Sequence, residues 1–195
     1  DSHGLGLYAD DVVLESVNSS IASHSLDGLH IESETTAWTS TEDVIQDNGE
    51  DGVFVNGDLA WTSTEDVIQD NGEDGVFVNG DLAWTSTEDV IQDNGADGIY
   101  VTGDLDWTST EDVIDGNGHD GIDVGANSNL TIYGAEIWNN GARGLAAGDG
   151  SVIDIDYARI DSNGSHGIDL ENTGTLHLDN SRLLSNGGQG IQSGS

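Results

Sequence analysis

The chain has 195 residues, with 38 Asp and Glu against three Arg and no Lys, giving a net charge of −35. Such a surface repels phosphate, which excludes nucleic acid and anionic membranes as partners. Cys is absent, so there is no disulfide or thiolate metal site, and no apolar run reaches the roughly 18 residues of a membrane-crossing helix.

The chain enters at HGLGL (residues 3–7) without an initiator Met, as a mature or excised piece would. AWTSTEDVIQDNGEDGVFVNGDL then fills residues 37–59 and recurs unchanged at 60–82. Residues 83–105 repeat it with four changes, at Ala96, Ile99, Tyr100 and Thr102. Near-identity of this order fits recent duplication or deliberate elongation. The period extends beyond these copies. Gly4, Gly28, Gly52, Gly75, Gly98, Gly121, Gly144, Gly167 and Gly190 follow one another in steps of 24, 24 and then 23. Asn48, Asn71, Asn94, Asn117, Asn140, Asn163 and Asn186 keep a step of 23 throughout.

Each unit carries two strand signals. One is short: GVFV, GIYV, GIDV or GIDL. The other is LAWTST in the central copies and NLTIY, VIDIDY and TLHLDN later. Trp61 aligns with Leu14, Leu130, Ile153 and Leu176, and Ser63 aligns with Ile132, Ile155 and Leu178, so both columns point inward. Alternation along a strand then turns Thr62 and Thr64 outward. A third apolar column runs from Ile21 through Ile45, Ile68, Ile91, Ile114, Ile137 and Ile160 to Leu183.

No stretch has a helical apolar stripe. Three apolar faces per unit, separated by Gly, Asn and Asp, describe a triangular coil stacked on its neighbours by parallel pairing. The expected fold is all-β, a single domain over residues 1–195: a right-handed parallel β-helix of about eight coils of 23–24 residues. The Asn column reads as an asparagine ladder at a sharp corner. Asn, and more readily the Gly after it, is expected to take the left-handed conformation there. Trp38, Trp61, Trp84 and Trp107 should form an internal ladder, offset or edge-on.

The charge fits solubility in a saline habitat, or binding of a divalent cation. The copy at 60–82 holds six carboxylates, Glu65, Asp66, Asp70, Glu73, Asp74 and Asp81, each stacked over its own copy. Two like charges about 5 Å apart cost about 0.9 kcal/mol even in water. The corner DNGEDG offers hard oxygen ligands, which makes Asp47, Asp51, Asp70, Asp74, Asp93 and Asp97 the candidate calcium ligands. A second candidate polar site lies in the column before the Gly, where Asp120, Arg143, His166 and Gln189 sit on successive coils. Asp123 and Asp169 flank it. The pairs Thr39/Thr41, Thr62/Thr64, Thr85/Thr87 and Thr108/Thr110 form outward rows on four coils. Such rows resemble the ice-binding face of β-solenoid antifreeze proteins, although Thr is also an ordinary choice for a wet strand face.

NGEDGVFV, NGHDGIDV and SNGSHGIDL resemble coils of the pectin-lyase-like right-handed β-helix superfamily. They are most similar to the helical modules of bacterial mannuronan epimerases and to β-helix repeats of large secreted bacterial proteins. The resemblance covers the whole chain and implies the fold. It implies no catalytic residues here. The epimerase motif of Asp, Pro and His in sequence is missing, because the chain has no Pro. Pectate lyases need a basic proton acceptor, and only Arg143, Arg159 and Arg182 are basic. The expectation is a non-catalytic, extracellular or cell-surface protein, structural or adhesive. Its expected partners are its own copies, stacked with Gly190–Ser193 over Gly4–Leu7, and a polysaccharide or cell surface. A polysaccharide-processing module is the alternative, and an ice-binding face a minor one.

Overall fold

Along Leu82–Thr87 the side chains of Leu82, Trp84 and Ser86 are buried, whereas Ala83 and Thr85 are exposed. That alternation follows from strand geometry, and it repeats in every central copy. The computed structural model describes residues 4–10, 13–172 and 174–194. Among these residues every regular element is a strand. All strand pairs are parallel, and each joins a residue to its counterpart in the next coil: Val76 to Ile99, Trp84 to Trp107 and Ile91 to Ile114.

The stacked strands form sheets of fifteen and eight strands, the latter taking one strand from each turn of the coil. The eight-stranded sheet carries the Ile21-to-Leu183 column. The fifteen-stranded sheet holds both of the other faces. They merge because Leu29–Thr41 and Val53–Thr64 run unbroken through two faces of the coil, whereas later coils divide there. The core between the sheets is lined by Val, Ile and Leu from all three columns, together with the four tryptophans.

The indoles of Trp38, Trp61, Trp84 and Trp107 are each at most 2% exposed. Their centroids lie 4.4, 4.5 and 5.2 Å apart with interplanar angles of 9°, 1° and 16°. They stack face to face and not edge-on. Identical rotamers on backbones related by translation have parallel planes; edge-to-face packing would require rotamers that alternate from coil to coil.

The asparagine column is buried and fully bonded. Asn94 Nδ2 donates to Asn117 Oδ1 at 3.0 Å and to the Ile68 carbonyl at 3.3 Å. Its Oδ1 accepts from Asn71 Nδ2 at 2.9 Å and from the Asn71 backbone N–H at 3.2 Å. Every donor and acceptor of the amide is therefore used, which removes the cost of burying it. The left-handed residue, however, precedes the asparagine. It is Asp47 (φ 56°), Asp70 (54°) or Asp93 (54°), then Gly116, Asn139, Ser162 and Ser185 in later coils. The following Gly is required for a different reason. A Cβ on Gly72 would lie 2.2 Å from the Gly49 carbonyl oxygen in the coil below. Close stacking selects glycine there, not a positive φ.

Replacing Trp84 with Ala removes the ring that stacks on both Trp61 and Trp107 and opens a void at the centre of the ladder. The expected cost is about 3–5 kcal/mol in urea unfolding. A cost near 0.5 kcal/mol, typical of surface changes, would contradict the inward packing of the ring.

Candidate functional site

Where the coil turns from the GxxV strand, the outward residue changes along the rod. In the first coils it is aromatic: Tyr8, His30, Phe54, Phe77 and Tyr100 succeed one another with centroids 4.5–5.7 Å apart. The row ends at Tyr100, which tilts 59° from Phe77. The next coils place Asp123, Ala146 and Asp169 in the same position. Small residues in the adjoining turns, Gly125, Ala126 and Gly148, leave a groove of about 560 Å³ beside Tyr100, Arg143 and Glu171.

Arg143 lies at the wall of this groove and gathers three carboxylates. Its Nη2 is 2.7 Å from Asp120 Oδ2 and 3.3 Å from Asp123 Oδ2, and its Nη1 is 3.5 Å from Asp169 Oδ2. Nε also donates to Asp120, at 3.1 Å. The fork is charge-assisted and close to bidentate on Asp120. Hydrogen bonding to Asp120 pushes the Arg143 guanidinium further toward its charged form. Burial raises the Asp123 carboxyl to about 6, while the charge of Arg143 pulls it down. The structure thus brings together Asp120, Asp123, Arg143 and Asp169, four of the six residues expected at this site. His166 instead accepts the Gln189 backbone N–H at Nδ1, 2.9 Å away.

That contact belongs to a ladder. In the column before the Gly, one carboxylate oxygen accepts the backbone N–H of the next coil: Asp51 from Asp74 (2.9 Å), Asp74 from Asp97 (2.7 Å) and Asp97 from Asp120 (2.7 Å). Burial raises Asp51 to about 7 and Asp97 to about 6, and raises Asp74 as well. The six aspartates expected as calcium ligands therefore fall into two separate rows. Asp51, Asp74 and Asp97 bond to backbone inside the corner, whereas Asp47, Asp70 and Asp93 are exposed at its outside. Among the described residues no group of three or more His, Asp or Glu is disposed to hold a metal ion. The threonine rows do face outward, with Ala60, Thr62, Ala83 and Thr85 along a shallow trough.

A further polar network went unread in the sequence. Trp84 Nε1 donates to Ser63 Oγ at 2.7 Å, Ser63 Oγ donates to Asp89 Oδ2, and Asp89 Oδ1 accepts the Asp66 backbone N–H at 2.9 Å. The neighbouring coils repeat the pattern through Trp107, Ser86 and Asp112. A signal was available. Trp, Ser and Asp occur together at 38/40/43, 61/63/66, 84/86/89 and 107/109/112, then give way together to Leu130/Ile132/Ala135 and Ile153/Ile155/Ala158.

No curated protein sequence matches the chain. Among solved structures it is similar to the A-module of the mannuronan C-5 epimerase AlgE4 of Azotobacter vinelandii, with a TM-score of 0.54 and 17% identity. The match covers 88% of this chain and 62% of that module, so the chain spans less than two thirds of its length. At this identity the likeness is one of fold. A second match, QnrB1, a plasmid-mediated fluoroquinolone resistance protein, is 14% identical over 92% of each chain with a TM-score of only 0.23. The sequence profile described as "Right handed beta helix region" matches residues 51–195. With its parallel coils, its one-strand-per-turn sheet and its asparagine ladder, the chain belongs to the right-handed β-helix family.

Proposed function

We propose that the chain is a non-catalytic β-helical scaffold, extracellular or at the cell surface, whose work is to present a rigid rod rather than to transform a substrate. The observation that carries this reading is that Arg143 and the carboxylates of the inner columns are engaged with the protein itself. Arg143, the one cation lining the groove, is already bonded to Asp120, Asp123 and Asp169. It has little charge left to neutralise the carboxylate of a uronate sugar, and a surface at −35 repels such a polymer. The carboxylates of the two inner columns hold the backbone N–H groups of neighbouring coils. Arg143 then serves as a clamp that closes the acidic column at its C-terminal end.

The alternative reading is a polysaccharide-processing module. It is favoured by the groove itself, which combines Tyr100 with Asp123 raised into the range of a general base, and by the epimerase among the structural neighbours. Incubation with alginate and with pectate, each with and without calcium, separates the two. The scaffold reading predicts no change in polymer composition or chain length. Turnover that is lost on Arg143→Ala would establish the alternative.

The clamp role makes its own prediction. Without Arg143, Asp120, Asp123 and Asp169 face one another without a counter-charge. Asp123 is raised when folded, so the folded site holds a proton in mild acid that the unfolded chain does not hold. The repulsion is therefore greatest at alkaline pH and relieved in mild acid, and because Arg143 itself lowers Asp123, its removal moves that relief to higher pH. Arg143→Ala should cost about 1–3 kcal/mol at pH 8, and distinctly less at pH 5, in urea titrations. Equal losses at both values would contradict a clamp that works by charge.

A further inference from the structure

The Trp–Ser–Asp unit poses a problem of charge that its geometry goes some way to answer. Asp43, Asp66, Asp89 and Asp112 are 3%, 3%, 2% and 2% exposed and stand in one column inside the rod, one per coil. The titratable groups facing Asp89 are Asp66 below and Asp112 above, and those facing Asp66 are Asp43 and Asp89. Their other polar neighbours are the hydroxyls of Ser40, Ser63, Ser86 and Ser109 and backbone N–H groups. No cation stands among them, and all three Arg belong to later coils. Four stacked carboxylates in a low-dielectric interior repel one another without compensation, and the few hydroxyls and amides beside them do not replace their lost hydration.

We propose that this column is a proton-holding ladder: part of the set Asp66, Asp89 and Asp112 stays protonated at neutral pH, which makes this segment a pH-sensitive section of the rod. At Asp89 and Asp112 a proton on Oδ2 has an oxygen to point at, because a serine hydroxyl lies beside it, whereas the buried Asp66 Oδ2 has no hydrogen-bond partner among the described residues. At Asp112 the hydroxyls of both Ser86 and Ser109 reach the same Oδ2, the latter at 2.6 Å. The hydroxyls bridge one coil to the next, and at Asp112 a proton on Oδ2 can point at one hydroxyl while the other still donates to the carboxyl. The joint replacement of all three residue types in later coils fits a unit that functions only when complete. The first coil, with Leu14 in the indole column, keeps only Ser16, whose Oγ accepts the Trp38 indole N–H at 2.8 Å.

The direction of the pH effect follows. Burial raises Asp66 to about 6 and Asp89 to about 7, and raises Asp112 as well. An unfolded Asp titrates near about 3.9. Between these values the folded chain binds more protons than the unfolded one, so stability falls as pH rises from about 4 to about 7. Acid tightens this segment and alkali loosens it, opposite to a fold held by ion pairs.

The test uses the whole chain. Infrared spectra at pH 7 should show the carbonyl stretch of protonated carboxyls, and Asp89→Asn should weaken it. Asp89→Asn, which keeps an oxygen for the Asp66 amide, should raise Tm at pH 8 by about 2–4 °C and narrow the gap between Tm at pH 5 and at pH 8. Asp106→Asn removes the same charge from an exposed strand position and should leave that gap as it was. A second variant guards against misfolding at a buried site. Trp107→Leu with Ser109→Ile and Asp112→Ala copies the residues that coil 130–135 already uses, and it too should narrow the gap. No protonated-carboxyl band in the parent protein would overturn the proposal. So would a response of Asp89→Asn no larger than that of Asp106→Asn.

Discussion

Everything in this molecule depends on in-register stacking, in which each residue lies on its own counterpart one coil away. Parallel pairing fixes the separation at about 4.8 Å, and the 23-residue step fixes which side chains meet. A column must then be self-compatible, because its neighbours above and below are copies of itself. Apolar columns meet this condition trivially. Tryptophan meets it by stacking with parallel planes. Asparagine meets it because its amide is a donor at one end and an acceptor at the other, so a column of amides satisfies itself. Aspartate alone cannot, since a carboxylate only accepts. The fold deals with that in three ways: it aims one oxygen at backbone N–H, places serine hydroxyls on the other, and ends the outer column with Arg143.

The same constraint accounts for what the residues disclosed before any coordinates. Period, strand facing and the asparagine column were legible because they are properties of translation, and translation appears in one dimension. Asp120, Asp123, Arg143 and Asp169 could be placed together for the same reason, one coil apart in adjoining columns. What stayed hidden concerns the corners. Whether an aspartate beside a turn faces in or out depends on the local φ and ψ, which apolar periodicity does not report. Asp66 and Asp70 both count among the six stacked carboxylates of their copy, with nothing in the pattern to tell them apart, yet Asp66 is buried and Asp70 exposed. His166 shares a column with Arg143 but turns to the coil above, because a short acceptor there reaches the Gln189 amide. The left-handed residue was misplaced by one position for a related reason: the buried asparagine needs an ordinary backbone to aim its amide along the axis, so the residue before it takes the bend.

The groove and the ladders bear on function in opposite ways. The groove arises where a row of outward aromatic rings gives way to acids and an alanine, and it is the kind of concavity in which a sugar chain could lie. Its charged groups, however, are already engaged with one another. The ladders meanwhile commit the buried carboxylates to holding coils together. The acids used as internal fasteners are not available for chemistry.

The central claim is that coils are interchangeable units coupled only through register, and a pair of deletions tests it most directly. Removing residues 60–82 takes out one 23-residue unit and splices residue 59 to residue 83 with every column intact. Removing residues 60–81 takes out one residue fewer and shifts every column below the splice against those above. Circular dichroism with thermal unfolding on both variants is the measurement. The account predicts a cooperative β-rich fold for the first, with three stacked indoles in place of four. It predicts loss of cooperative folding, or a large fall in Tm, for the second. Similar behaviour of the two would show that register is not what holds this structure together.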